Sequence, residues 1–296
     1  MADLLSPRPP ARPRLRELLA GPAPLVAPGA YDALSARLVE QAGFDVVYMT
    51  GFGTTAGLLG RPDVGLLSAT EMADNARRIV AAVDVPVIAD GDTGYGNAIN
   101  VVRTVQTYEQ AGVAAIQLED QVTPKRCGHM AGKEIVPLPE MLGKIRAAVD
   151  ARHDPDFLVI ARTDAVAVSG LDEAVERAKA FADAGADLLF VEAPTSESDI
   201  EEVASRLAGV GPLVFNWAEG GRTPPLSPAR IGELGFSLVL YPIGTLLAAT
   251  AGIRGLLETL RKEGTPVSAL PGLPAFDEFT DLVGLPEVRE LEQKYR

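Results

Sequence analysis

Eight short apolar runs recur along the chain, separated by polar loops and by stretches with helical periodicity. Each run is rich in Val, Ile or Leu, is bounded by Gly or Pro, and ends in a polar or charged residue. Runs that are apolar on both faces are typical of parallel strands covered by helices. They span residues 24–32, 45–51, 85–92, 114–120, 157–164, 187–194, 212–220 and 237–242.

The stretches between these runs have the length and the apolar spacing of amphipathic helices. Three of them end in Ala-Gly just before the next run, at Gly43, Gly112 and Gly185. Glycine suits the positive φ of the position that follows a helix. Eight consecutive strand–helix units therefore predict an α/β fold of the (β/α)8 TIM-barrel type.

A doubly wound open sheet is the alternative architecture for this pattern. A dinucleotide-binding sheet of that kind carries G-x-G-x-x-G after its first strand. Residues 50–57 contain G-x-G but no third glycine at the required offset, and residues 93–98 fail in a similar way. We interpret both segments as loops that follow strands, and we favour the barrel.

The two ends of the chain differ in composition from the repeating part. Residues 1–13 are rich in Pro and Arg and are predicted to form a flexible tail. Residues 14–296 are predicted to form a single barrel domain that includes C-terminal helices from about residue 265 to residue 296. That last segment adds no strand, and its spaced apolar residues indicate helical structure that packs on a neighbouring subunit.

Composition limits the classes of partner. The formal net charge is -13, which argues against nucleic acid and anionic membranes as partners. The single cysteine cannot form an intrachain disulfide, in keeping with the reducing cytoplasm. The N-terminal residues lack the apolar core of a signal peptide, and no run reaches the ~18 apolar residues of a membrane span.

Acidic residues follow two neighbouring strands of the predicted barrel. Asp90 and Asp92 are two residues apart, so their side chains point to the same side of their strand, and Glu119 ends the next strand. In a TIM barrel these ends meet at the catalytic face. A cluster of oxygen ligands suits Mg²⁺, with Mn²⁺ as the alternative, whereas a single such acid is more often structural. A histidine-rich zinc site is excluded because the chain has two histidines.

Arg162 ends another predicted strand, within the sequence VIARTD. An arginine so close to an apolar run needs a partner. That partner is either a neighbouring acid such as Glu192 or the carboxylate of a substrate, which an arginine can bind with two parallel hydrogen bonds. The residues alone leave both interpretations open.

The chain's only cysteine lies in a glycine-containing loop, residues 123–134 (TPKRCGHMAGKE), which we call the Cys127 loop. Positive charge nearby lowers the pKa of a thiol from ~8.5 towards neutrality, so Cys127 could act as an acid or base. An inert buried cysteine is the alternative. The glycines and the charges favour a mobile lid. The cationic and histidine side chains of this loop are Lys125, Arg126, His129 and Lys133.

Several motifs in order resemble the isocitrate lyase/phosphoenolpyruvate mutase superfamily. The resemblance covers about residues 15–263 and is strongest to the 2-methylisocitrate lyase-like and carboxyphosphonoenolpyruvate mutase-like branch. The KRCGH motif after a strand that ends in Glu-Asp is the most specific of the set. The motifs are PGAYDALSA, GRPDVG, ADGDTGYGN, LEDQVTPKRCGH, ARTDA, VEAP, NWAEGG and YPIGTLLAA.

The resemblance implies a Mg²⁺-dependent barrel that acts on small 2-oxo- or 2-hydroxy-carboxylates. It also implies a homotetramer, a dimer of dimers that exchange C-terminal helices. For the metal it implies direct binding by Asp92, with Asp90 and Glu119 acting largely through water. Positions that match substrate-binding or other active-site residues of the family are Tyr48, Thr50, Gly51, Phe52, Asp63, Gly128, His129, Arg162, Glu192 and Asn216, and Cys127 matches the catalytic thiol.

The reaction implied is cleavage of the C2–C3 bond of a 2-hydroxy di- or tricarboxylate to a 2-oxo acid and a carboxylate. Tyr48 or a carboxylate would remove the 2-hydroxyl proton, and Cys127 would protonate the departing carbanion. A phosphonomutase and an oxaloacetate decarboxylase or hydrolase are the alternative activities within the superfamily. Leu247 matches a position where 2-methylisocitrate lyases carry an arginine, which predicts a smaller substrate such as 2,3-dimethylmalate or another 2-alkylmalate.

Overall fold

The computed structural model describes residue 5, residues 11–128 and residues 130–296. Its eight strands close into a parallel barrel in which each strand pairs with the next and β1 pairs with β8. The predicted (β/α)8 fold is thereby confirmed. The strands are β1 (Leu25–Ala30), β2 (Val47–Met49), β3 (Val87–Asp90), β4 (Ala115–Glu119), β5 (Leu158–Thr163), β6 (Leu188–Val191), β7 (Leu213–Asn216) and β8 (Phe236–Tyr241).

Helices surround the barrel and continue beyond it. They are α1 (Ala11–Leu19), α2 (Ala33–Gln41), α3 (Gly51–Leu59), α4 (Ala69–Ala82), α5 (Ala98–Ala111), α6 (Leu138–Ala151), α7 (Val166–Ser169), α8 (Leu171–Asp183), α9 (Glu197–Arg206), α10 (Pro228–Glu233), α11 (Gly244–Glu263), α12 (Phe276–Leu282) and α13 (Leu285–Lys294). A 3₁₀ helix covers Val267–Gly272. No helix in the described part of the chain is both long and apolar enough to cross a membrane.

Two apolar layers hold the barrel together, because alternate residues of each strand face opposite sides. On β3, Val87 and Ala89 pack outward against the helices, and Ile88 packs inside the barrel. Tyr48 and Phe190 belong to the same inner cluster. The inner cluster fills the interior of the barrel, so the polar groups that follow the strands lie at its carboxyl-terminal end.

Helix α1 closes the amino-terminal end of the barrel. Leu15 is fully buried in the inner cluster. The Arg12 guanidinium donates to the carbonyl oxygens of Glu109 and Val113 and pairs with Asp154. The predicted tail is therefore wrong for residues 11–13, because these residues begin a docked helix, while residues 1–4 and 6–10 lie outside the described part. The proline and arginine content of residues 1–13 suggested a loose segment. Arg12 instead anchors the start of α1, because it donates to two backbone carbonyl oxygens of the barrel domain.

The predicted C-terminal helical segment is present as the 3₁₀ helix, α12 and α13. None of these three elements buries a residue against the described chain, and neither does the longer helix α11. The ring of Phe276 is 81% exposed, and Ile253 and Leu257 on α11 are also largely exposed. The segment contacts the barrel through the Arg37 guanidinium, which donates to the carbonyl oxygen of Leu282 at 3.0 Å.

Candidate active site

A cavity of about 830 Å³, including its open mouth, lies at the carboxyl-terminal ends of the strands. This is the face where TIM barrels place their reactive groups. The structure brings together most of the residues that the sequence singled out. Those that line the cavity are Tyr48, Thr50, Phe52, Asp63, Asp90, Cys127, Gly128, Arg162, Glu192 and Asn216.

Three predicted metal-binding acids lie at or just behind the wall of this cavity, and all are buried. One oxygen of Asp90 accepts from the Gly51 amide at 3.3 Å, and the other accepts from the Asp92 amide at 3.0 Å. Asp92 adopts a left-handed backbone conformation, with φ of 46°. Glu119 Oε2 lies 3.4 Å from Arg162 Nη1. Backbone amides thus fix the Asp90 carboxylate, and Arg162 contacts the acid that ends the next strand.

Burial makes the negative charge of these acids costly. It raises the pKa of Asp90 to about 6, with a further contribution from Asp92, and it raises the pKa of Glu119 well above its usual value. One buried oxygen of Glu119, Oε1, has no hydrogen-bond partner in the described structure. A bound cation would relieve both the charge and the unsatisfied oxygen.

The three acids fit an ion that is coordinated partly by water better than they fit an ion that is coordinated entirely by protein ligands. Among the described residues, no three His, Cys, Asp or Glu side chains converge closely enough to hold an ion directly. Mg²⁺ is commonly bound through one or two carboxylates with water in its other positions. The unsatisfied oxygen of Glu119, beside the buried Asp90 and Asp92, therefore fits a magnesium site in which water completes the coordination.

Lys125 belongs to the site, although sequence reasoning assigned it only to a basic loop. Its buried ammonium lies 2.7 Å from Asp63 Oδ2 and 2.8 Å from Asp92 Oδ1. Burial opposes its charge, but Asp92, Glu119 and Asp63 outweigh that effect and hold its pKa well above the usual value. Asp63 lies 62 residues away in sequence, so no local pattern could have indicated the pair.

Arg162 has a structural partner and also faces the cavity. Its Nε and Nη2 atoms donate to the two oxygens of Asp164, each at 2.9 Å. The neighbour suggested by the sequence, Glu192, lies at 3.9 Å and is a weaker partner. Burial disfavours the Asp164 carboxylate, but Arg162 and Lys133 outweigh burial and lower its pKa to about 2. Asp164 therefore stays ionised and fixes the guanidinium plane.

The remaining wall carries amide and phenol groups. Asn216 Nδ2 donates to both oxygens of Glu192 at 3.2 Å. The Tyr48 hydroxyl donates to Gln117 Oε1 at 3.3 Å, and burial together with Asp90 raises its pKa well above the usual value. Tyr48 consequently retains its proton and serves as a hydrogen-bond donor. Of the two candidate bases, this environment favours a carboxylate over Tyr48.

The Cys127 loop folds over the cavity. At its base, Gln121 forms an antiparallel bridge with Ile135. The Cys127 amide donates to the carbonyl oxygen of Asp63 at 3.1 Å, and the half-buried cysteine side chain lines the cavity. A Cβ atom on Gly128 would overlap Arg162 Nη2 and Glu192 Oε1, so this position requires glycine. The loop thus packs Gly128 against the arginine and exposes the neighbouring Cys127 to the same cavity.

The positive charge that the sequence places on this loop is largely paired with acids. Lys125 and Lys133 are buried in ion pairs with acids, because the loop packs against an acidic strand-end rim. Arg126 is exposed and donates to the carbonyl oxygen of Ala131 within the loop. His129, which the resemblance assigns to substrate binding, lies outside the described residues.

The predicted position of Leu247 at the substrate cavity is wrong. This residue lies on α11, is 47% exposed and does not line the cavity. Pro242 and Ile243 form that part of the wall instead. The amides of Ile243 and Gly244 donate to the two oxygens of Glu219 at 3.0 and 2.7 Å. The start of α11 therefore faces the site, and the helix carries Leu247 away from it.

A TIM barrel with buried acids, an arginine and a thiol at the carboxyl-terminal ends of its strands has the features of an enzyme active site. The family described as phosphoenolpyruvate phosphomutase matches residues 15–261, and the chain belongs to this family. It is a carbon–carbon lyase of the isocitrate lyase/phosphoenolpyruvate mutase superfamily.

Individual relatives resemble the chain over nearly its whole length. A 2,3-dimethylmalate lyase of Eubacterium barkeri is 50% identical over 282 residues, covering 95% of this chain and 97% of the relative. A crystal structure of a 2,3-dimethylmalate lyase superposes with a TM-score of 0.90 at 42% identity, covering 98% of this chain and 96% of the other. A phosphonopyruvate hydrolase in complex with oxalate and Mg²⁺ superposes with a TM-score of 0.88 at 35% identity, covering 96% and 99%.

Proposed function

We propose that the protein is a Mg²⁺-dependent lyase that cleaves a small 2-hydroxy dicarboxylate of the 2,3-dimethylmalate type. The observation that carries the proposal is the convergence of Asp90, Arg162 and the lone thiol Cys127 on one cavity. The 50% identity to a 2,3-dimethylmalate lyase supports this choice of substrate.

The acids supply the metal site in this proposal. Asp92 would hold Mg²⁺ directly, and Asp90 and Glu119 would act through water, with Mn²⁺ as an alternative ion. When bound, the ion would stabilise negative charge on the 2-oxygen and the neighbouring carboxylate of the substrate. A relative that binds Mg²⁺ together with oxalate supports this assignment.

The protein's own groups orient the substrate and move its protons. Thr50 caps the start of α3, where the Phe52 amide suits a substrate carboxylate and the Gly51 amide donates to Asp90. A carboxylate of the cavity accepts the 2-hydroxyl proton, the C2–C3 bond breaks, and the 2-oxo acid forms. Arg162 stabilises developing negative charge. Cys127 donates its proton to the carbanion of the departing carboxylate fragment.

Cavity charge favours a dicarboxylate over a tricarboxylate. Among the described residues that line the cavity, the cations are Lys125 and Arg162, and both already pair with acids. The wall near the start of α11 is formed by residues 218–221, which include Glu219, and by Pro242 and Ile243. A third carboxylate there would be desolvated without a charged partner, which costs about 2–5 kcal/mol.

The first prediction follows from this wall. We expect kcat/KM for 2,3-dimethylmalate to exceed that for 2-methylisocitrate by more than about tenfold, as a missing ion pair implies. Steady-state rates on one preparation, with pyruvate and propionate identified as products, provide the measurement. A preference for the tricarboxylate would refute the assignment of a dicarboxylate substrate. Movement of phosphorus within a phosphonate substrate, without cleavage of either malate, would instead identify a phosphonomutase.

We further propose a homotetramer in which C-terminal helices are exchanged between subunits, working in the cytoplasm. Exposed apolar side chains on α11 and on the segment beyond it support assembly, since large exposed apolar patches mark interfaces. The cytoplasmic location is supported by the need to keep the one cysteine as a free thiol.

The second prediction tests the assembly. Phe276 on α12 is 81% exposed in the single subunit, and the proposed tetramer would bury it. We expect Phe276→Asp to dissociate the tetramer, because a buried unpaired charge is costly. Light scattering after size exclusion gives the mass. Ile99→Asp on α5, where the side chain is 77% exposed, is the matched control and should leave the mass unchanged. Equal masses for both variants and the parent would exclude α12 from the interface.

A further inference from the structure

Lys133 is a buried cation of the Cys127 loop that the proposed chemistry does not use. Its side chain is 1% exposed, and its ammonium lies 2.7 Å from Asp164 Oδ1, whose side chain is fully buried. The same ammonium donates to the carbonyl oxygen of Gly128, next to Cys127. Lys133, in the second half of the loop, therefore connects Gly128, the neighbour of Cys127, to Asp164 at the end of strand β5.

Asp164 is shared between this lysine and the cavity arginine. Its Oδ1 atom accepts from Lys133 and from Arg162 Nη2, while its Oδ2 atom accepts from Arg162 Nε. The Asp164 backbone amide donates to Asp120 Oδ1 at 2.9 Å, which holds the carboxylate in place. Any displacement of the loop that withdraws Lys133 removes one of the two cations that balance Asp164.

The closed loop also contacts the arginine directly. Gly128 packs so closely on Arg162 and Glu192 that it has no room for a Cβ atom. Closure of the loop and the position of the guanidinium are thus connected twice, through the backbone at Gly128 and through the Lys133–Asp164 pair.

We propose that Lys133 is a positioning residue that latches the closed Cys127 loop onto Asp164, so that the thiol and Arg162 reach their working positions together. The proposal rests on the proposed function for the roles of Cys127 and Arg162. The latch itself is measured without turnover, because Cys127 is the only cysteine and its alkylation reports loop opening.

The experiment compares Lys133→Met with Arg126→Met, using the full-length enzyme. Arg126 lies on the same loop but is exposed and bonds within it, so it is the matched control. We expect Lys133→Met to raise the rate of iodoacetamide alkylation at Cys127 by at least about tenfold, because loss of one partner of a buried pair is far costlier than loss of an exposed contact. Mg²⁺ with oxalate should protect the parent and Arg126→Met more than Lys133→Met.

Turnover gives the second readout. A lost latch should lower kcat while changing KM less, and Lys133→Arg, which keeps the charge, should restore part of kcat. Should Lys133→Met fail to fold, Asp164→Asn gives the same alkylation readout. Alkylation rates equal to those of Arg126→Met in the folded variant would overturn the latch. Faster alkylation of Lys133→Met, combined with a parent enzyme that itself cleaves no malate, would support the latch and refute the proposed function, so the two failures are distinguishable.

Discussion

Replacing Cys127 by serine should lower kcat by about 10²–10⁴-fold, the usual contribution of a positioned general acid. A hydroxyl is a much weaker acid than a thiol, so protonation of the carbanion becomes slow while the shape of the site is kept. Cys127 is half-buried on a loop above the cavity, and the change of one atom leaves no core void. Single-turnover rates with 2,3-dimethylmalate measure the effect.

Binding separates a chemical role for Cys127 from a structural one. Oxalate affinity in the presence of Mg²⁺, measured by calorimetry, should be unchanged in Cys127→Ser, since the Cys127 contact to Asp63 uses the backbone amide. Met130→Leu, on the same loop and also lining the cavity, is the control and should retain turnover. A serine variant that cleaves at the parent rate would remove the thiol from the mechanism.

Removing the charge of Asp92 should lower turnover by on the order of 10³-fold, because a bound metal ion contributes several kcal/mol of charge stabilisation. Asparagine is the suitable replacement, because the φ of 46° at this position is tolerated by Asn and Asp but strains alanine. Exhaustive treatment with a chelator should have the same effect on the parent and should be reversed by added Mg²⁺.

Metal binding provides a readout besides activity. Titration with Mn²⁺, followed by electron paramagnetic resonance, should show binding to the parent and weakened binding to Asp92→Asn. The control is Asp74→Asn, an exposed acid on α4 that pairs with Arg77 and lies outside the acid cluster. Activity that survives complete removal of metal would exclude a metal-dependent mechanism.

The barrel could be predicted because its evidence is local. Each strand is a short apolar run, and the predicted glycines after helices, Gly43, Gly112 and Gly185, all have φ between 89° and 99°. The acids of the rim could be predicted for the same reason, since Asp90 and Asp92 occupy the end of one strand and Glu119 the end of the next.

The ion pairs of the site could not be predicted because they join distant segments. Lys125 meets Asp63 across 62 residues, and Lys133 meets Asp164 across 31 residues. Charge on the loop was visible in the sequence, but the acids that neutralise it were not. Leu247 was misplaced for a related reason: correct position along a motif does not determine which way a helix turns its side chains.

Helix α1 has a practical consequence for handling the protein. Its contacts lie at the amino-terminal ends of the strands, where Arg14 pairs with Asp45 and Arg16 with Asp187, whereas the Cys127 loop covers the opposite face. An affinity tag or fluorescent protein fused ahead of Ala11 would therefore be attached at the end of the barrel opposite to the Cys127 thiol. Immobilising the enzyme through such a fusion should leave substrate access and the chemistry of Cys127 undisturbed.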